Sequence, residues 1–212
     1  MNPILAKTEI IKYGPEVIAK PIQSTTFGIE QEFFIRRKDA KEEFVLGSET
    51  RLHTSDLDGC GFLAEVRTIP VENPWLLIGL LQSEITRIET DLNMGGHELV
   101  KDIAMVKLPK NMLYTATRSY GKGISEDECL YGEVKKDNYQ TAGLHIHFGF
   151  ASKVINIPKI IKSFDSEFVE EIKQTHRQKG LYEMKPYGFE YRSLPTTVDL
   201  LKAIRVIIGN KL

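Results

Sequence analysis

Two glutamates inside an apolar, strand-like run are the residues of this chain whose type and spacing point most directly to chemistry. Glu30 and Glu32 stand two positions apart in the segment Gly28–Phe34, and side chains two apart in an extended chain lie on the same face. The opposite face is apolar and consists of Phe27, Ile29, Phe33 and Ile35. Adjacent carboxylates repel each other and are costly to bury unpaired, and a divalent cation between them removes that cost. A magnesium-type site is therefore the first functional hypothesis.

Three further strand-like segments also carry chemically active side chains on one face. Each has two such residues at a spacing of two, which are Glu65 and Arg67, His145 and His147, and Glu190 and Arg192. The other face of each segment is mainly apolar. If these apolar faces pack on a common layer, the polar faces of all four segments line one concave surface.

Simpler interpretations exist for each pattern. Glu30 and Glu32 also suit the solvent side of a half-exposed strand, and the Glu-x-Arg pairs suit surface ion pairs. The recurrence of the pattern on four segments favours a shared site. His145 and His147 are a plausible zinc pair with a third ligand such as Glu65. The four strand glutamates are hard oxygen donors that suit magnesium or manganese better, so zinc ranks second.

Composition limits the class of protein. The chain has 212 residues, 42% hydrophobic and 27% charged, which suits one domain with a sizeable core. Its 28 basic and 29 acidic residues give no sign of nucleic-acid or membrane binding. No apolar run is long enough to cross a bilayer. Cys60 and Cys129 are the only cysteines and lack metal-ligand spacing. A disulfide scaffold is therefore not expected, and a reducing, cytoplasmic location is.

The order of predicted elements indicates an α+β fold. Strands are predicted near 26–36, 44–46, 62–68, 97–108, 143–150 and around Glu190, and helices after Asn73, after Pro158 and after Thr197. We expect a single domain over 1–212 with helices on one face of an antiparallel sheet and an open, ligand-binding face opposite. Residues 1–24 are expected to form a weakly patterned arm, and 110–141 a long loop or lid.

Taken together and in order, four motifs resemble those of the carboxylate–amine ligases. The motifs are Gly28–Glu32, Ala64–Thr68, Ala142–Gly149 and Tyr187–Leu194. The superfamily includes glutamine synthetase and glutamate–cysteine ligase, and the phage-encoded COOH–NH2 ligase (amidoligase) family is the one most similar. The resemblance implies a curved, mostly antiparallel sheet forming a funnel-like active site, as in the catalytic fold of glutamine synthetase. It covers about residues 26–195, although the chain is compact for this superfamily.

The resemblance implies an ATP- and magnesium-dependent ligase that forms an amide or peptide bond through an acyl phosphate. Manganese is a possible substitute for magnesium, and the substrates would be small-molecule or peptide carboxylates and amines. By matching motif positions, the metal ligands would be Glu30, Glu32, Glu65, His145 and Glu190. His147 would approach the ATP phosphates, and Arg192 would contact the transferred phosphoryl group. Arg177 would be a second catalytic residue, the basic residue on the loop before the last motif, and Asp58 would be an additional acid near the second motif.

Two alternatives to the ligase stay open at this stage. One is a zinc metallohydrolase that uses His145, His147 and Glu65. The other is a non-catalytic nucleotide- or peptide-binding module derived from a ligase. The identities of the acid and amine, the general base and the oligomeric state are not encoded in any of these motifs.

Overall fold

The structure is a computed structural model, which describes residues 8–13, 16–21, 24–41, 43–58, 61–107, 139–150, 155–175 and 177–210. Residues 110–138, which are most of the predicted lid 110–141, lie outside this set, as do Cys60 and Cys129. Eleven strands occur in the described residues: β1 Thr8–Tyr13, β2 Glu16–Pro21, β3 Thr26–Arg37, β4 Phe44–Val45, β5 Ala64–Arg67, β6 His97–Val100, β7 Met105–Lys107, β8 Tyr139–Thr141, β9 Gly143–Gly149, β10 Tyr182–Lys185 and β11 Gly188–Pro195. Four helices accompany them: α1 Leu76–Met94, α2 Ile157–Glu167, α3 Val169–Gln174 and α4 Leu200–Gly209.

A seven-stranded antiparallel sheet organises the described part of the chain. Its main path is β10–β11–β9–β3–β4, and β5 and β6 also pair with β3. β3 has twelve residues, and this length lets its first half pair with β9 while later residues pair with β5, β6 and β4. The predicted mixed α+β architecture with a mostly antiparallel sheet is therefore confirmed.

The larger core cluster lies on the face of the sheet that most apolar residues of the strands share, and a smaller cluster surrounds Phe34 and Phe62. Phe27, Ile29, Phe33 and Ile35 of β3 are at most 5% exposed, as their alternation predicts. The same cluster contains the buried stripe of α1, made of Leu77, Leu81, Ile85, Ile88 and Leu92, together with residues of α2, α3 and α4. Burying each such side chain contributes about 1.5–3 kcal/mol, so this apolar layer fixes which face of the strands points outward.

Several element boundaries differ from those expected. The N-terminal arm, for which no strand was predicted, contains β1 and β2, which pair with each other in a separate sheet. The segment 97–108 divides into β6 and β7, and residues 139–141 of the predicted lid form β8, which pairs with β7. β10 precedes the Glu190 strand, in a segment where no strand was predicted. It was missed because its residues are mostly exposed and have no buried apolar face.

Two helix starts were predicted two residues too early. Asn73 does accept a hydrogen bond from the Trp75 N–H, but α1 begins only at Leu76. The cap of α4 is Asp199, whose carboxylate accepts from the Leu201 N–H, and not Thr197. No helix in the described ranges combines the length and the apolarity that a bilayer-spanning segment requires.

Candidate metal centre on the polar face of the sheet

Strand register brings the predicted site residues of three strands together. Glu30 of β3 pairs directly with His145 of β9, and His147 of β9 pairs directly with Glu190 of β11. Because paired residues in neighbouring strands project to the same side, all four side chains lie on the face opposite the helix-covered core. We call this side the polar face.

The atoms of these residues are close enough to share one ion. His145 Nδ1 lies 3.1 Å from Glu190 Oε1 and 3.6 Å from Glu30 Oε2. His147 Nε2 lies 3.4 Å from the same Glu30 oxygen. One potential ligand atom from each of Glu30, His145 and Glu190 lies within 4.8 Å of the others, and we call these three residues the metal cluster.

Most of the metal cluster is buried. Glu190 is 0% exposed and His145 is 2% exposed. Within the described residues, neither ring nitrogen of His145 has a hydrogen-bond partner, since its carboxylate neighbours lie outside hydrogen-bond geometry. Buried polar atoms are normally satisfied, and a metal-binding imidazole needs a free nitrogen beside anionic ligands. The donor set of two carboxylates and one imidazole therefore fits a divalent cation.

A bound cation would replace the positive charge that His145 carries in the metal cluster. Burial and Arg192 both act to lower the pKa of His145, but the charges of Glu32, Glu190 and Glu30 outweigh them and raise the pKa to about 10. In the metal-free protein, the imidazolium thus neutralises the surrounding carboxylates. Burial raises the pKa of Glu30 and Glu190, yet the neighbouring histidines hold both pKa values well below the usual range.

Glu65 and Glu32 lie beside the cluster and have other partners. Glu65 is buried, and its carboxyl group lies 2.8 Å from the guanidinium of Arg67, which also lies 3.5 Å from Glu30. Burial and the charge of Glu30 raise the pKa of Glu65 to about 8. Glu32 accepts a hydrogen bond of 2.7 Å from the Gly143 N–H. Among the described contacts, Glu32 therefore tethers the start of β9.

Arg192 lies next to the cluster at a local irregularity of the sheet. Its guanidinium pairs with Glu190 and lies 3.5 Å from Glu183. The pairing of β11 with β9 shifts between Tyr191 and Leu194, so Arg192 lies within a β-bulge. Bulges redirect side chains and are frequent beside functional sites. This one leaves Arg192 on the polar face with 23% of its side chain exposed.

Arg177 supports this bulge from the inside. It is buried, and its guanidinium donates hydrogen bonds to the carbonyls of Ser193 and Arg192 and to the Thr141 hydroxyl. These carbonyls belong to the residues that the bulge removes from regular pairing. The structure therefore places Arg177 behind the polar face as a support for Arg192, rather than beside the metal cluster.

Asp56 and Asp58 lie shortly before β5 and bind neighbouring parts of the structure. The Asp58 carboxylate accepts from the N–H groups of Phe62 and Leu63. Asp56 forms a two-pronged ion pair with Arg87 of α1. Asp58 thus closes the loop before β5, and the metal cluster does not include it.

Two residues near the cluster were missed by the sequence analysis. Lys185 Nζ lies 2.8 Å from Glu190 and 2.8 Å from Glu183. The Tyr187 hydroxyl is in hydrogen-bond contact with His147 Nδ1. Both precede the Glu190 strand by a few residues, and recognising β10 as a strand would have placed Glu183 and Lys185 on the same face as Glu190.

Comparisons of this chain with protein-family models, with curated proteins and with solved structures found no match.

Proposed function

We propose that this protein is an ATP- and magnesium-dependent ligase that joins a carboxylate to an amine, giving an amide or peptide bond. The observation that carries the proposal is the metal cluster of Glu30, His145 and Glu190, with Arg192 in contact with its most buried carboxylate. We further propose that the sheet is a glutamine synthetase-like catalytic fold with a funnel-shaped site on its polar face. The support is that four motifs in the order of that superfamily lie on neighbouring strands.

The reaction needs the charges that this site collects. A carboxylate is a poor electrophile because oxide is a poor leaving group, and transfer of the terminal phosphoryl group of ATP converts it to an acyl phosphate that an amine can attack. When bound, divalent cations bridge the phosphate oxygens and lower their repulsion with the acid. Glu30, His145 and Glu190 would hold such a cation, and Arg192 would donate to the transferring oxygens.

An oxygen-transfer experiment tests this function most directly. Purified protein with Mg²⁺ and ATP would be incubated with mixtures of amino acids and short peptides whose carboxylates carry ¹⁸O. A ligase of this type releases ADP and transfers one ¹⁸O from the acid to inorganic phosphate. The mass of its product equals the summed mass of the acid and the amine minus one water. Phosphate without the label, or no ADP release with any acid and amine, would refute the proposal. Glu190→Gln serves as the inactive control.

One observation favours a second candidate, a zinc metallohydrolase. Nδ1 of His145 and Nε2 of His147 lie 3.6 Å and 3.4 Å from the same oxygen of Glu30. Two imidazoles and one carboxylate are a common catalytic zinc set. The carboxylate between the histidines is Glu30, whereas Glu65 is paired with Arg67. Stoichiometric zinc in protein purified without added metal, with turnover that is independent of ATP, would favour the hydrolase.

A further inference from the structure

Lys185 and Arg192 cover the inner carboxylate of the metal cluster from the solvent side. Lys185 approaches Glu190 Oε2 at 2.8 Å, and Arg192 contacts Glu190 Oε1. The side chain of Glu190 is 1% exposed, while those of Lys185 and Arg192 are 24% and 23% exposed. A ligand that arrives on the polar face therefore meets the two basic groups before it reaches the carboxylate.

The oxygen that Arg192 contacts is also the one that a bound cation would use. Glu190 Oε1 lies 3.1 Å from His145 Nδ1, on the side of the metal cluster. A divalent cation held there draws the negative charge of Glu190 toward itself and weakens the attraction of that carboxylate for Lys185 and Arg192. Among the described residues, the other acid in contact with Lys185 is Glu183, whose side chain is 48% exposed and therefore well solvated.

We propose that Lys185 and Arg192 form an oxyanion subsite that Glu190 occupies until a divalent cation binds the metal cluster. Cation binding weakens the hold of Glu190 on the two basic groups and favours their binding to an incoming phosphate or carboxylate, so the cation and the oxyanion bind cooperatively. Within the proposed function, which this inference extends, the oxyanion is the transferring phosphoryl group or the acid substrate. Lys185 belongs to the site because of its contact with Glu190, and the ligase resemblance assigned it no role.

Calorimetric titrations with simple probes test this coupling without requiring the natural substrates. Inorganic phosphate and acetate would be titrated into the full-length protein in EDTA and in saturating Mg²⁺, with correction for magnesium phosphate formed in solution. We expect Mg²⁺ to tighten binding of one oxyanion by about 5–150-fold, the usual range of site-to-site coupling. Tighter phosphate binding identifies a phosphoryl subsite, and tighter acetate binding identifies a carboxylate subsite. By reciprocity, the same anion must tighten Mg²⁺ binding by the same factor.

Variants assign the effect to Lys185. Lys185→Ala should abolish most of the coupling, and Lys185→Arg should keep part of it because the positive charge remains. Lys179→Ala is the matched control, since Lys179 is an exposed lysine a few residues earlier and should leave the coupling unchanged. Equal anion affinity with and without Mg²⁺, or coupling that survives in Lys185→Ala, overturns the inference. If Lys185→Ala fails to fold, the effect of Mg²⁺ on anion affinity in the wild type and in Lys185→Arg still tests the inference.

The outcomes also separate this inference from the proposed function. Lys185-dependent coupling without ATP turnover would refute the ligase and keep the oxyanion subsite. ATP-driven ligation without Mg²⁺-dependent anion binding would keep the ligase and refute the oxyanion subsite.

Discussion

Glu30 and His145 are directly paired across β3 and β9, and the carboxylate of one lies 3.6 Å from a ring nitrogen of the other. This pairing joins two motifs that are more than a hundred positions apart in the sequence. Glu190 completes the metal cluster from the other side of β9, where it pairs with His147. The cluster is thus a product of strand register, and each of its members can be tested separately.

Removal of one carboxylate should remove the stabilisation that a cation provides. In the wild type we expect Mg²⁺ or Mn²⁺ to raise the free energy of unfolding by about 2.7 kcal/mol at one hundred times its dissociation constant. In Glu30→Gln and Glu190→Gln this increase should be lost, because an amide is a weak ligand without charge. Urea unfolding with and without the metal measures the effect. Glu84→Gln, on the outer side of α1, is the control and should retain the full increase.

Stability of the metal-free protein should fall between pH 6 and pH 9. The pKa of His145 is raised to about 10, so the stability from its folded-state charge is complete below its ordinary pKa near 6.5 and is lost toward pH 10. The pKa of Glu65 is raised to about 8, so from its ordinary value near 4.5 up to pH 8 the folded state holds a proton that the unfolded state has released. Both effects reduce stability as pH rises.

Urea unfolding in EDTA at the two pH values measures this loss, and Glu65→Gln should make it smaller. A wild type that is more stable at pH 9 than at pH 6 would contradict these charge assignments.

Tyr187 should control the orientation and the tautomer of His147. Its hydroxyl contacts His147 Nδ1, which leaves Nε2 facing Glu30. His147 lies outside the metal cluster, but its Nε2 is 3.4 Å from Glu30 Oε2, so loss of its partner should reduce metal affinity or activity by about 10–100-fold, as for the outer partners of metal ligands. We expect Tyr187→Phe to have an effect of this size and to shift the ¹⁵N resonances of His147. The ring of His53, which contacts Ser55 in a distant loop, should keep its resonances.

Arg177 should be more important for folding than for catalysis. Its guanidinium satisfies two carbonyls at the bulge and the Thr141 hydroxyl in a buried position. Arg177→Lys should lower the free energy of unfolding by about 2–4 kcal/mol, because a single ammonium group does not reach all three acceptors. Denaturant unfolding gives this value. A variant of unchanged stability whose turnover collapses would instead support the catalytic role that the sequence resemblance implied.

Arg192→Lys should separate charge from geometry in the proposed ligase. Lysine keeps the positive charge but lacks the planar fork that binds two oxygens together. We expect the maximal rate to fall by about 10²–10³, as for the loss of one preorganised donor, with a much smaller change in the KM for ATP. Steady-state kinetics measure both, and an unchanged maximal rate would contradict the assigned role.

The alternation of residues in single strands predicted the polar face well. Phe27 and Ile29 had to be buried, so the side of β3 that carries Glu30 was determined by the sequence pattern alone. The distances within the metal cluster depended on which strands became neighbours, and no local pattern contains that information. Glu32 illustrates the difference, because it shares a face with Glu30 but is bound by the Gly143 N–H.

Exposed and irregular elements were harder to predict. β10 has no buried apolar side, and it pairs only because it returns along β11, so Lys185 was overlooked. The bulge after Tyr191 depends on the buried guanidinium of Arg177, a contact across 15 positions of sequence. The register of such contacts is set by packing in three dimensions, which the order of residue types does not reveal.

The three ligands of the metal cluster come from three adjacent strands, and a shift of β9 by a single residue would turn both of its imidazoles into the helix-covered core. A chain whose sheet is not fully assembled therefore cannot bind a cation through all three ligands. Capture of a cation would therefore mark the moment at which the sheet has closed in the correct alignment, and metal binding would report that the protein has matured correctly.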